Sequence, residues 1–177
     1  MAYGTGLPFD ALLKASERMP HVPGRLQAVS LACGATGFVD YAHTDDALER
    51  VLTSLRAVLA AGGRLIAVFG CGGDRDRTKR PRMGAAGTRL ADLAILTSDN
   101  PRSEDPMSII REIETGIPAG THYLVESDRA KAIELAVKEA HAGDILLVAG
   151  KGHETWQETR EGKHHFSDIE ILNRFRA

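Results

Sequence analysis

With 177 residues, 43% of them apolar and 26% charged, the chain can bury one core plus a small appendage and reads as globular. Its 22 Lys and Arg stand against 24 Asp and Glu, a formal net charge of -2, which removes the electrostatic case for a nucleic-acid or acidic-membrane partner and leaves a small neutral one open. Cys33 and Cys71 form neither a C-x-x-C pair nor a disulfide framework, no apolar stretch is long enough to cross a bilayer, and the start MAYGTGLPFD lacks the regions of a secretory signal, so the expected compartment is the cytoplasm.

In chain order, FDALLKASERMP reads as a short helix, HVPGR as a turn and LQAVSLA as a possible edge strand; these first 35 residues suggest the tail of something upstream. From about residue 36 short apolar runs alternate with helical patterns. GFVDYA reads as a strand, and DDALERVLTSLRAVLAAGG puts Leu48, Val51, Leu52, Leu55, Val58 and Leu59 on one helix face before a stop at Gly62 and Gly63. RLIAVFG is the next strand, a helix over roughly 79 to 90 leads to the strand DLAILTS, and PMSIIREIETGI opens a helix at Pro106, whose missing N–H costs nothing there. THYLVE is a strand, and the helix after it takes Ser127 as N-cap, runs apolar at Ala130, Ile133, Leu135, Ala136 and Ala140, and stops at Gly143. DILLVAG is a further strand, TREGKHHF a hairpin-like surface segment, and SDIEILNRFRA a terminal helix capped by Ser167. The alternation predicts an α/β fold with a mostly parallel sheet and helices on both faces.

Ligands of such sheets bind at the carboxyl ends of the strands. The loops there are AHTDD, CGGDRDRTKRPRMG, DNPRSEDP and KGHETWQE, all polar and rich in Gly, Asp, Arg or His. In CGGDRDRTKR, Gly72 and Gly73 admit close backbone approach, Asp74 and Asp76 suit a divalent ion or ribose hydroxyls, and Arg75, Arg77, Lys79 and Arg80 suit phosphate or carboxylate. The same residues also read as a solvated turn, although cations before a helix N-terminus oppose its dipole and so favour an anionic ligand. No P-loop spacing occurs. In DNPR, Pro101 biases Asn100 towards extended backbone and Arg102 can fork onto a carboxylate, while Asn-Pro is equally an ordinary turn dipeptide. In GKGHE, His153 and Glu154 offer acid-base and ammonium-binding capacity, and Tyr41 and Trp156 can stack on a ring or simply pack. His21, His122, His141, His164 and His165 have no zinc spacing, and no metal site is expected.

Taken in order, VDYAHT at 39–44, GCGGDRDRTKRP at 70–81, TSDNPRSEDP at 97–106 and GKGHE at 150–154 strongly resemble the C-terminal part of the Mur ligases, in the branch that adds the third peptide residue. The resemblance runs from about residue 22 through the terminal helix. It implies a Rossmann-like domain over residues 26–177, preceded at 1–25 by the tail of, or connection from, an upstream central domain. It further implies ATP-dependent ligation in peptidoglycan synthesis, through an acyl phosphate on UDP-MurNAc-L-Ala-D-Glu that the amine of meso-diaminopimelate attacks.

In that family DNPR accompanies meso-diaminopimelate, and the lysine-adding members usually carry another residue where this chain has Arg102. By resemblance Arg75, Asp99, Asn100, Arg102, Gly150 and Glu154 hold the distal end of the diamino acid, the carboxylates on Arg102 and Arg75 and the ammonium on Glu154. Lysine would then leave Arg102 unpaired at a cost of a few kcal/mol, roughly. Asp40, Tyr41, His43 and Asp74, with Lys79 and Arg80, fall where the family contacts ATP. Asp45 and Thr78 depart from a common proline and glycine of the pattern. The glycine-rich ATP motif, the Mg2+-binding residues and the carbamylated lysine belong to the family's central domain and cannot be placed here, so this stretch is expected to be inactive alone, with partners in upstream domains of the same enzyme. The other expectations kept open are a lysine-adding ligase, a folylpolyglutamate or cyanophycin synthetase type of amide ligase, and a non-catalytic binding module.

Overall fold

The structure, a computed structural model, describes residues 6, 8–17 and 22–177. The leading segment forms α1 (Phe9–Glu17); the rest of the predicted first helix and His21 lie outside the described residues. The strands are β1 (Gln27–Ser30), β2 (Thr36–Asp40), β3 (Leu65–Phe69), β4 (Leu93–Leu96), β5 (Tyr123–Val125), β6 (Ile145–Ala149), β7 (Trp156–Thr159) and β8 (Gly162–His165). Between them run α2 (Asp45–Val58), α3 (Lys79–Leu90), α4 (Pro106–Glu114) and α5 (Arg129–Glu139), and α6 (Asp168–Asn173) closes the chain.

β3 and β6, the runs LIAVF and ILLVA, are buried at every residue, as expected for strands covered on both faces. They occupy the middle of a six-stranded sheet of order β1-β2-β6-β3-β4-β5. All pairings are parallel except β1 with β2, so LQAVSLA is an antiparallel edge strand. Because side chains alternate along a strand, Leu65, Ala67 and Phe69 face α2, α3 and α4 through Leu48, Leu52, Met83 and Ile110, while Ile66 and Val68 face α5 and α6 through Ile133, Ala136 and Leu172. The predicted α/β architecture with helices on both faces is the one observed. β7 and β8 form a separate antiparallel hairpin at the position of TREGKHHF, starting earlier at Trp156.

Three local expectations change. Val58 is 70% exposed, because the helix ends there and the extended Leu59 folds back onto the core in its place. The N-cap of α5 is Asp128 rather than Ser127: its carboxylate accepts from the N–H groups of Ala130 and Lys131, and a negative charge suits the helix N-terminus. Ser167 does occupy the N-cap of α6, but its hydroxyl makes no capping hydrogen bond. Pro106 sits in the first turn of α4 as predicted, with Asp105 capping Ser108 N–H.

Candidate functional site

The loops leaving β2, β3, β4 and β6 converge on one cleft of about 410 Å3, lined by Tyr41, His43, Lys79, Arg75, Arg102 and Glu154 among others. Asp99, Asn100 and Gly150 complete the predicted set within it. The β2–β6 and β3–β4 pairings place all four loops at the same sheet edge, which is why residues distant in sequence meet.

One end of the cleft carries both signs of charge. Asn100 is buried and held at both ends of its amide: its Oδ1 accepts from Lys151 Nζ and from Glu158 N–H, and its Nδ2 donates to Glu154 Oε2, each at 3.0 Å. Lys151, itself fully buried, also reaches Glu154 Oε2 at 3.0 Å, so Glu154 is held by two donors. Asp99 is 7% exposed, and its carboxylate accepts no hydrogen bond among the described residues. Gly150 has φ 121°, a backbone conformation that favours glycine, and a Cβ there would lie 2.5 Å from Asp99 Oδ2 and displace that carboxylate.

Arg102 adopts φ 52°, a left-handed conformation that an arginine holds only when its surroundings enforce it. Its Nε donates to Glu158 Oε2 at 3.0 Å and its Nη1 to the Gly73 carbonyl at 2.9 Å. The expected cost of leaving Arg102 unpaired is therefore offset inside the protein, since Glu158 is already its partner. Arg75 differs: among the described residues it meets no carboxylate, only the Asp74 carbonyl at 3.0 Å. Both side chains pack over Gly72, where a Cβ would lie 3.1 Å from Arg102 Nη1 and 3.7 Å from Arg75 Cγ.

At the other end, the Tyr41 and His43 rings meet edge to face at 4.7 Å, His43 Nδ1 lies 2.8 Å from the Tyr41 carbonyl, and Lys79 Nζ donates to the His43 carbonyl at 2.6 Å. Arg25 lies over the Tyr41 ring at 4.9 Å.

Three residues expected at the nucleotide are engaged within the fold and do not line the cleft. Asp40 accepts from the N–H groups of Leu26 and Ala42, tying the entry segment to the end of β2. Asp74 accepts from the Ser103 hydroxyl and N–H, which hold its carboxyl below the usual range. Arg80 is completely buried between Glu104 and Glu112. Chiefly through Arg80, and against its own desolvation, Glu104 titrates at about 2. The cationic start of α3 is thus largely neutralised by the protein itself, Arg77 also by Glu104 and Arg82 by Asp45. Only Arg75 and Lys79 of that run face the cleft without a carboxylate partner among the described residues.

Lys151, Gln157 and Glu158 carry the loop geometry; all three lie in the loop KGHETWQE that the sequence places at the ligand edge, but none is assigned a part in the site from sequence, because their partners Asn100, Asp99 and Arg102 are more than 50 residues away. Nor are Arg129 and Asp168, a wholly buried pair. Arg129 also donates to the carbonyls of Ser98 and Ala149, where the chain leaves β4 and β6 for the site loops. No helix among the described residues is long and apolar enough to cross a membrane.

This geometry has relatives. The family model described as "Mur ligase, glutamate ligase domain" matches residues 24–152. UDP-N-acetylmuramoyl-L-alanyl-D-glutamate--2,6-diaminopimelate ligase of Chlorobaculum tepidum is 52% identical over 96% of this chain and 34% of its own length. The enzyme of that name from Thermosynechococcus vestitus is 49% identical over the same shares. A solved structure of a ligase of this name superposes with TM-score 0.80 at 42% identity, over 98% of this chain and 35% of that one. A bifunctional folylpolyglutamate synthase/dihydrofolate synthase with Mn, AMPPNP and L-glutamate bound shares the fold at TM-score 0.62 and 22% identity. The chain spans about a third of the length of the curated relatives it matches, 34% for the first two. Agreement of sequence across nearly the whole chain with agreement of fold places it plainly: it belongs to the Mur ligase family, in the region of the glutamate ligase domain.

Proposed function

We propose that this chain is the amino-acid-recognising C-terminal domain of the cytoplasmic, ATP-dependent ligase that joins meso-diaminopimelate to UDP-MurNAc-L-Ala-D-Glu in peptidoglycan synthesis. Residues 26–177 are that domain, and residues 1–25 connect it to the central domain for which the relatives' greater length leaves room. The carrying observation is the pairing of opposite charges on one sheet edge: Arg75 and Arg102 beside the clamped Glu154 and the buried Asp99, whose carboxylate accepts no hydrogen bond among the described residues.

A diamino acid with an amino-acid group at each end fits this arrangement. The distal carboxylate takes Arg75 and Arg102, and the distal ammonium takes Glu154 and Asp99, so that the other amine projects from the cleft. Fixing one zwitterionic end orients the nucleophile and removes part of the entropy cost of its attack. Asn100 and Lys151 serve by holding Glu154 in place.

ATP supplies the phosphoryl group that activates the acceptor carboxylate. Tyr41, His43 and Lys79 suit it, two rings for a planar base and a cation for phosphate. Mg2+ is assigned, with the glycine-rich ATP motif, to the central domain outside this chain. The chain alone is accordingly expected not to ligate.

Calorimetric titration of the chain with meso-diaminopimelate and with lysine tests the reading. Diaminopimelate is expected to bind, lysine to bind far more weakly, and Arg102→Ala to weaken diaminopimelate by roughly tenfold or more, the worth of a charge-assisted contact. Equal binding of the two amino acids would sink it.

A further inference from the structure

The family model ends at residue 152, yet the Chlorobaculum tepidum ligase aligns over 96% of this chain, which takes in most of the residues beyond 152. The β7–β8 hairpin lies in that later part, and it holds the DNPR loop. Gln157 Nε2 donates to the Asp99 carbonyl, Glu158 N–H to Asn100 Oδ1, Arg102 N–H to the Glu158 carbonyl, and Arg160 Nε to the Ser103 carbonyl. Open cavities of about 310 and 410 Å3 flank this contact, both lined by Pro101 and Thr159. These hydrogen bonds fix the loop against the hairpin, and hydrogen bonds are directional.

We propose that Glu158 is the positioning residue that presents Arg102 to the distal carboxylate of the diamino acid, which makes the hairpin a specificity element of the site. This rests on the reading given under Proposed function. The backbone of Arg102 is in a left-handed conformation, and Glu158 grips it twice, by its carbonyl on Arg102 N–H and by its carboxylate on Nε. With Nη1 on the Gly73 carbonyl, Nη2 is the nitrogen left without a partner among the described residues. An arginine so held loses little further freedom when a carboxylate arrives.

The test uses the unaltered chain, Glu158→Ala and Glu158→Gln, titrated calorimetrically with meso-diaminopimelate and with lysine, with the Arg102 Nε–H resonance followed by NMR. Glu158→Ala is expected to weaken diaminopimelate about tenfold, leave lysine unchanged and merge the Arg102 resonance with those of exposed arginines. Glu158→Gln keeps an acceptor for Nε and is expected to restore most of the affinity and the distinct resonance, which separates positioning from charge and from a general loss of fold. Unchanged or tighter diaminopimelate binding by Glu158→Ala, or an unmoved Arg102 resonance, overturns the inference while the reading of the site stands. Failure of the unaltered chain to bind diaminopimelate sinks the reading, and the inference with it.

Discussion

Cys71 lies two residues beyond β3 and borders the site loops, where a reactive thiol would attract attention. Its surroundings decide otherwise: burial, with smaller opposing effects led by Lys79, pushes the thiol up to about 12, and its sulfur lies 3.4 Å from Met83 Sδ. The thiolate is the reactive form, so Cys71 is inert in the native protein. An alkylating reagent at mildly alkaline pH is expected to label the exposed Cys33 quickly and Cys71 only after unfolding; labelling of both at similar rates in the native state would contradict the buried placement. Residue type alone did not distinguish these two thiols. Nor did it tell Arg75, which faces the cleft, from Arg80, which is buried between Glu104 and Glu112 five residues later.

At the scale of elements, the Arg129–Asp168 pair joins α5 to α6 at 2.8 Å and fastens both to the strand ends that launch the DNPR and GKGHE loops. Both side chains are fully buried, so removing one leaves the other charged and uncompensated. Asp168→Ala is expected to cost about 3–5 kcal/mol in urea unfolding. A loss below about 1 kcal/mol, the range of a surface pair, would show that the clamp is not as buried as described. The elements themselves were readable, because LIAVF and ILLVA are short, continuous apolar runs of the kind expected for strands covered on both faces, while the period of 3.6 persists through α2. Their ends were less so: Asp128 outcompeted Ser127 as a cap through its charge, and Val58 lost its place in the core because the chain turned one residue later.

For the whole molecule, acid stability depends on carboxylates that tie distant segments together. Glu104, bonded to Arg80 and Arg77, titrates at about 2. Burial works against the Asp92 and Asp144 carboxyls, yet Arg56 with the Leu65 N–H, and Arg64 with the His141 N–H, hold both below the ordinary range. Each is more acidic folded than unfolded, so its contribution is complete above the unfolded pKa and lost as pH falls through the folded one. Stability is expected to hold from neutrality to the usual carboxyl value of 4.5 and then to decline towards about 2. Glu104→Gln should flatten that limb in denaturant titrations at several pH values; an unchanged limb would remove Glu104 from the account.

The sequence by itself determined the α/β alternation, the parallel sheet, the edge strand before β2 and the set of loops at its carboxyl edge, because hydrophobic period and turn chemistry are local properties. The four motifs in order were also enough to indicate the family. Only the tertiary structure decided which polar residues face the cleft and which are spent on the fold. Asp40, Asp74 and Arg80 are engaged by Leu26, Ser103 and Glu104, while the Asp99 carboxylate accepts no hydrogen bond among the described residues. Arg102 meets Glu158 across 56 positions of sequence. Pairings at such separation leave no periodic trace in the chain, since they depend on where the strands end in space.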